Sequence, residues 1–124
     1  TYHLMKTRDL IKKYKPEAIA VEITGGVGNS VVADLNRDFP DILIKKIRTT
    51  GDSKPTMITD LLILMESGYL YFLDKDFVKN DFMSFEKKGH KFEAKSGQND
   101  DVVMASAFLT RILPDMERMK KIAV

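Results

Sequence analysis

The run GQNDDVVMASA, residues 97–107, sets two adjacent carboxylates, Asp100 and Asp101, against a nearly continuous apolar stretch. Neighbouring like charges repel, and Asp is a poor residue inside a helix. Such a pair suits one of two jobs. It caps a helix, because carboxylates are favoured at the positive N-terminal end. Or it holds a cation, because acids beside a core are costly unless neutralised. Capping accounts for one Asp, and Asn99 can already cap, so the pair also points to a cation. A third acid, Glu22, stands in the apolar run AVEI just before a glycine-containing loop. Alternation sets it on the sheet face opposite Val21 and Ile23. That is either a solvated outward position or a carboxylate at the carboxyl end of a strand, where α/β sheets place their sites.

The available ligands narrow the chemistry. There is no Cys, and only two His, His3 and His90. Disulfides and thiolate zinc sites are excluded. Any metal would be held by oxygens, which suits a hard divalent cation such as Mg²⁺. His90 reads as a surface residue rather than a catalytic base. The loop TGGVGN, residues 24–29, lacks the GK[ST] ending of a P-loop. Val31 stands where the third Gly of GxGxxG would fall. These glycines therefore suit a tight strand-to-helix turn and close backbone approach.

Basic residues form two groups. Lys45, Lys46 and Arg48 lie at one strand end, and Lys87, Lys88, His90, Lys91 and Lys95 flank another. They read as solvated faces, or with a polyanionic partner as sequence-independent phosphate contacts. The formal net charge of +2 neither demands nor excludes nucleic acid. No apolar run approaches the roughly 18 residues of a membrane span. The opening TYHLMKTRDL carries no start Met and no signal-peptide pattern, and it reads as an internal cut in a longer chain.

The elements that must position these residues alternate in type. Tyr2 to Tyr14 reads as an amphipathic helix with Leu4, Ile11 and Tyr14 inward, ended by Pro16. Glu17 to Ile23 and Asp41 to Ile47 read as strands. The helix between them is capped by Asn29 or Ser30 and carries Val31, Val32 and Leu35. Asp52 or Ser53 caps a further helix, with Pro55 in its first turn and Gly68 just past its end. Tyr69 to Asp74 reads as a third strand. Asp76 to Phe85 reads as a helix with Phe77, Phe82 and Phe85 inward. HKFEAKSG is a fourth strand or ribbon edge. A last helix runs from near Asp100 to about Leu113, where Pro114 follows, leaving residues 114–124 as a basic tail with Arg118, Lys120 and Lys121. A length of 124 residues favours one domain, and the alternation favours a mixed α/β class.

Three stretches together resemble the nuclease domain of the large terminase subunit of tailed bacteriophages and prophages. AVEITGGVGNSVVADLNRDFPD is similar to its strand, acid, Gly-containing loop and helix. TTGDSKPTMITDLLILMESGYLYFLD is similar to its T-x-x-K-P segment, helix and following strand. GQNDDVVMASAFL is similar to its closing helix start, G-x-[HN]-D-D-hydrophobic-small. The order holds over roughly Ala18 to Leu113. The resemblance implies an RNase H-like mixed sheet flanked by helices and a metal-dependent endonuclease that cuts concatemeric viral DNA as packaging starts and ends.

In that family three acids hold two Mg²⁺ or Mn²⁺ ions. Glu22 matches the second acid and Asp100 the third, and Asp101 shares the acidic character. Asn99 stands where many relatives have His. Lys54 would approach DNA phosphate, with Lys45, Lys46 and Arg48 as further DNA contacts. The family's first acid lies upstream of the helix that begins this sequence, and Asp9 and Glu17 are poor substitutes. The resemblance therefore implies a domain lacking its opening strands, with two of three acids and weak or no nuclease activity alone. Such a sheet would also expose an edge that invites self-association. The implied partners are double-stranded DNA, an ATPase motor domain, the small terminase subunit and the portal, in the cytoplasm of a bacterial host. A Holliday-junction resolvase or transposase-like nuclease is the alternative within the fold. A non-catalytic interaction module is the alternative outside enzymes.

Overall fold

A computed structural model describes residues 2–89, 91–95 and 97–122, with side chains described through residue 114. The order is α1 (Tyr2–Tyr14), β1 (Ala18–Glu22), α2 (Val27–Asp38), β2 (Leu43–Ile47), α3 (Ser53–Glu66), α4 (Asp76–Ser84), β3 (Phe85–Lys88), β4 (Lys91–Ala94) and α5 (Asp101–Ile122). The chain is mixed α/β, as the alternation predicts. It divides into two compact units, Thr1–Arg48 with Ile112–Val124, and Thr49–Arg111.

The first unit is built on a βαβ element. β1 and β2 pair in parallel, from Ala18 opposite Leu43 to Glu22 opposite Ile47. Leu4 and Ile11 of α1 and Leu35 of α2 are buried, with Ile19, Val21 and Ile44 packed against them. Tyr14, expected inward, is 67% exposed, because the chain turns at Lys15 (φ 47°) immediately after it. Gly25 and Gly26 hold φ of 87° and 90°, which L side chains rarely adopt. Gly28 meets a different demand. A Cβ there would strike the Glu22 carbonyl oxygen and come within 2.7 Å of Ile23 Cα. The loop glycines thus give the tight turn and close approach that their spacing suggests. The helix starts earlier than expected. Gly26, rather than Asn29 or Ser30, is its N-cap, and Ser30 Oγ instead donates to the Val27 carbonyl at 3.0 Å.

The second unit carries α3, α4, the β3–β4 hairpin and the start of α5. Neither Asp52 nor Ser53 caps α3 alone. Asp52 is the N-cap without a side-chain bond. Thr50 Oγ1 accepts the Ser53 N–H at 3.0 Å, while Ser53 Oγ accepts the Thr50 N–H at 2.9 Å. This is a reciprocal closure akin to a capping box. Gly68 ends the helix as expected. Its N–H reaches Met65 O, and the Tyr69 N–H reaches Leu64 O, the paired bonds of a Schellman motif. Met57, Ile58 and Leu61 supply the buried face of α3. Ser106 and Thr110 are buried on α5, and their hydroxyls donate back to the helix carbonyls of Val102 and Ala107 at 2.7 Å.

Three expectations fail here. Residues 69–74 form no strand, although Tyr69, Tyr71 and Leu73 alternate on one side. Those three are 72–86% exposed, and no described strand pairs with the segment. Alternation alone does not make a ladder. Phe77 is 63% exposed rather than inward, whereas Phe82 contacts Phe72 with ring centroids 4.6 Å apart. Finally, α5 continues through Pro114 to Ile122, so the expected stop and tail are replaced by helical backbone. Proline's fixed φ is compatible with a helix, and its cost is chiefly the lost bond to the carbonyl four residues earlier. The side chains of Arg118, Lys120 and Lys121 lie outside the described residues, as does His90.

Candidate functional site

Glu22 ends β1 and is exposed. The strand pairing runs one step past it, with the Ile23 N–H donating to Ile47 O at 2.9 Å, before the glycine turn begins. The carboxylate therefore sits at the carboxyl end of a parallel strand. Gly28 fixes the backbone beneath it by letting the first turn of α2 lie against the Glu22 carbonyl. Lys45 and Lys46 lie on the neighbouring strand, in register with Ala20 and Val21. Lys45 is half-buried, while Lys46 and Arg48 are exposed.

In the second unit the acidic pair opens α5. The Asp100 carbonyl accepts the Met104 N–H at 2.9 Å, which closes the helix's first turn. Asp101 is the first helical residue and is exposed. Neither carboxylate supplies the cap. Asp81, from α4, does so: its Oδ2 accepts the Val102 N–H at 3.0 Å. The Asp100 carboxylate faces a cation instead. Its Oδ2 lies 3.4 Å from Lys54 Nζ, with both side chains partly exposed.

Lys54 is held from several directions. Its N–H bonds to Thr50 O at 3.1 Å inside the reciprocal Thr50–Ser53 closure. Its ammonium lies 5.8 Å from the Phe85 ring centroid, within cation–π range. Phe85 in turn stacks on Phe92, with centroids 6.2 Å apart and planes at 13°. A cleft of about 390 Å³ lies alongside, lined by Gly51, Asp52, Pro55, Lys87 and Phe92.

The structure therefore joins Asp100 and Asp101 to Lys54 within one unit, and places Glu22, Lys45, Lys46 and Arg48 in the other. Among the described residues no three acids or histidines gather into a group able to hold a metal ion. Asp81 escaped sequence reasoning. Its partner is 21 residues away, and an Asp inside a helical run gives no sign of capping a different helix.

An α/β scaffold with an acid at a parallel strand end and an acidic pair opening a late helix is the arrangement that the terminase resemblance implies. The terminase RNaseH-like domain family model matches residues 2–110, and the chain belongs to that family. No curated protein and no solved structure matches it significantly. No described helix is long and apolar enough to cross a membrane.

Proposed function

We propose that this chain is the nuclease domain of a phage or prophage terminase large subunit. Its reaction is metal-dependent endonucleolytic cleavage of concatemeric double-stranded DNA during genome packaging. Membership of the terminase RNaseH-like domain family over residues 2–110 carries the reading. The donor chemistry supports it. Glu22, Asp100 and Asp101 offer only hard oxygens, and Asp100 already stands beside a positive charge, the Lys54 ammonium. These three acids would hold Mg²⁺ or Mn²⁺. Bound there, such ions supply an activated water and stabilise the leaving oxygen of the phosphodiester. Lys54, Lys45, Lys46 and Arg48 would contact the DNA backbone without reading sequence. An ATPase motor domain, the small terminase subunit and the portal are the partners this role requires, in the cytoplasm of a bacterial host.

Thermal denaturation with and without Mn²⁺ tests the reading. An ion at a hundred times its Kd stabilises a protein by about 2.7 kcal/mol, which raises Tm by several degrees. Glu22→Gln and Asp100→Asn should each reduce that rise, and Mn²⁺ should promote cleavage of linear duplex DNA where the wild-type chain is active. A wild-type chain whose Tm ignores both Mn²⁺ and Mg²⁺ overturns the proposal in favour of a non-catalytic module.

A further inference from the structure

The Lys54–Asp100 contact is built with care and yet is weak. At 3.4 Å it is longer than the 2.7–2.9 Å typical of a tight charge-assisted bond. The side chains are 24% and 31% exposed, so water screens the pair. The lysine itself is well placed. Its backbone is fixed in the first turn of α3, and its ammonium lies near the Phe85 ring. An ammonium kept close to a carboxylate but bound loosely to it is easily displaced.

We infer that Lys54 is a displaceable counter-cation of Asp100 that couples metal binding to phosphate binding. The inference rests on the nuclease reading. Without a divalent ion, the ammonium neutralises Asp100. A divalent ion on Asp100 carries more charge and repels the ammonium across a few ångströms. Lys54 then gives up the carboxylate and seeks another anion. The adjacent cleft offers a place for one. The residues flanking Lys54 in sequence, Gly51, Asp52 and Pro55, line it, and Lys87 adds a second ammonium. A DNA phosphate is the anion the proposed reaction brings. Linkage makes the coupling reciprocal: phosphate that engages Lys54 raises metal affinity by the same factor.

Calorimetric titration of the chain with Mn²⁺ alone, in wild type, Lys54→Met and Lys54→Arg, tests this. Met keeps an unbranched stem beside Phe85 and removes the competing charge. Lys54→Met should bind Mn²⁺ about threefold more tightly, the scale of an exposed ion pair, and Lys54→Arg should stay near wild type. In wild type, Mg²⁺ should shift the NMR signals of the Lys54 ε-methylene and ammonium, and Asp100→Asn should abolish that shift. Inorganic phosphate should perturb the same signals more with Mg²⁺ than with EDTA. If Lys54→Met does not fold, the wild-type Lys54 shifts decide alone. Unchanged or weaker Mn²⁺ binding by a folded Lys54→Met, or Lys54 signals that ignore Mg²⁺ while the ion binds, overturns the inference and leaves the nuclease reading intact. A wild-type chain that binds no divalent ion overturns both.

Discussion

The Asp81 carboxylate accepts the Val102 N–H at 3.0 Å, so α4 caps the helix that carries the acidic pair. The first N–H groups of a helix lack intrahelical partners, and a side-chain oxygen from elsewhere in the fold satisfies one of them here. Asp100 is thereby spared that task, and its carboxylate meets Lys54 instead. A helix mouth with three acids at hand thus divides its labour, with Asp81 structural and Asp100 facing a cation.

Removing the Asp81 carboxylate should therefore destabilise the fold. Loss of a capping side chain costs about 1 kcal/mol. Urea denaturation of Asp81→Ala should show that loss, and Asp81→Asn, which keeps an acceptor oxygen, should lose less. The Val102 amide signal should move in both variants. An Asp81→Ala chain as stable as wild type would show that the bond is incidental.

Gly28 should tolerate no side chain. A Cβ would meet backbone on both recorded sides, the Glu22 carbonyl and Ile23 Cα, and backbone cannot rotate out of the way as a flexible side chain can. Gly28→Ala should cost about 1–3 kcal/mol, the range for overpacking. Gly51 is the control, because nothing lies within 4 Å of a Cβ there and its φ is not positive. Gly51→Ala should be neutral or slightly stabilising. Equal stability of the two variants would contradict the close approach of α2 to β1.

Local chemistry made much of this legible. The helix of Tyr2–Tyr14, the strands around Val21 and Ile44, the Gly68 stop and the glycine turn after Glu22 each follow from spacing within a few residues. The family match over residues 2–110 bears out the resemblance carried by the three quoted stretches. What was hidden depends on partners far along the chain. Phe85 read as the inward end of a helix, but it starts a strand because Ala94 lies opposite to pair with it. The segment after Gly68 has a strand's alternation but no ladder partner among the described strands. Asp81 and Lys54 owe their roles to residues 21 and 46 positions away.

The exposed side of residues 69–73 makes a separate prediction. Tyr71 is 86% exposed, so little apolar area is lost by shortening it. Tyr71→Ser should change stability by no more than about 0.5 kcal/mol in urea denaturation, as surface substitutions do. Phe72, half-buried against Phe82, should behave differently. Phe72→Ala should cost several times more, given that a fully buried Phe→Ala costs about 3–5 kcal/mol. A reversed order would place the wrong side of this segment against the protein.

The first unit should show an acid-sensitive stability traceable to Asp38. Arg8 donates to the Asp38 carboxylate through Nε at 2.8 Å, with Nη2 at 2.6 Å, and Arg37 adds a contact at 3.3 Å. The Arg8 hydrogen bond holds this carboxyl below its usual range, partial burial opposes it, and Arg37 adds a further lowering. Because the folded-state pKa is depressed, the contribution is fully present above the unfolded carboxylate value of about 3.9. It is lost as pH falls through the lower folded value. Stability in urea should therefore be compared between wild type and Arg8→Gln from pH 6 down to pH 2.5. The two should differ by a constant amount at the upper end and converge below pH 4 as Asp38 takes up its proton. The Asp38 carboxyl signal, followed by NMR, should titrate at higher pH in Arg8→Gln. Parallel stability curves across the whole range, with an unmoved Asp38 titration, would remove Arg8 as the cause.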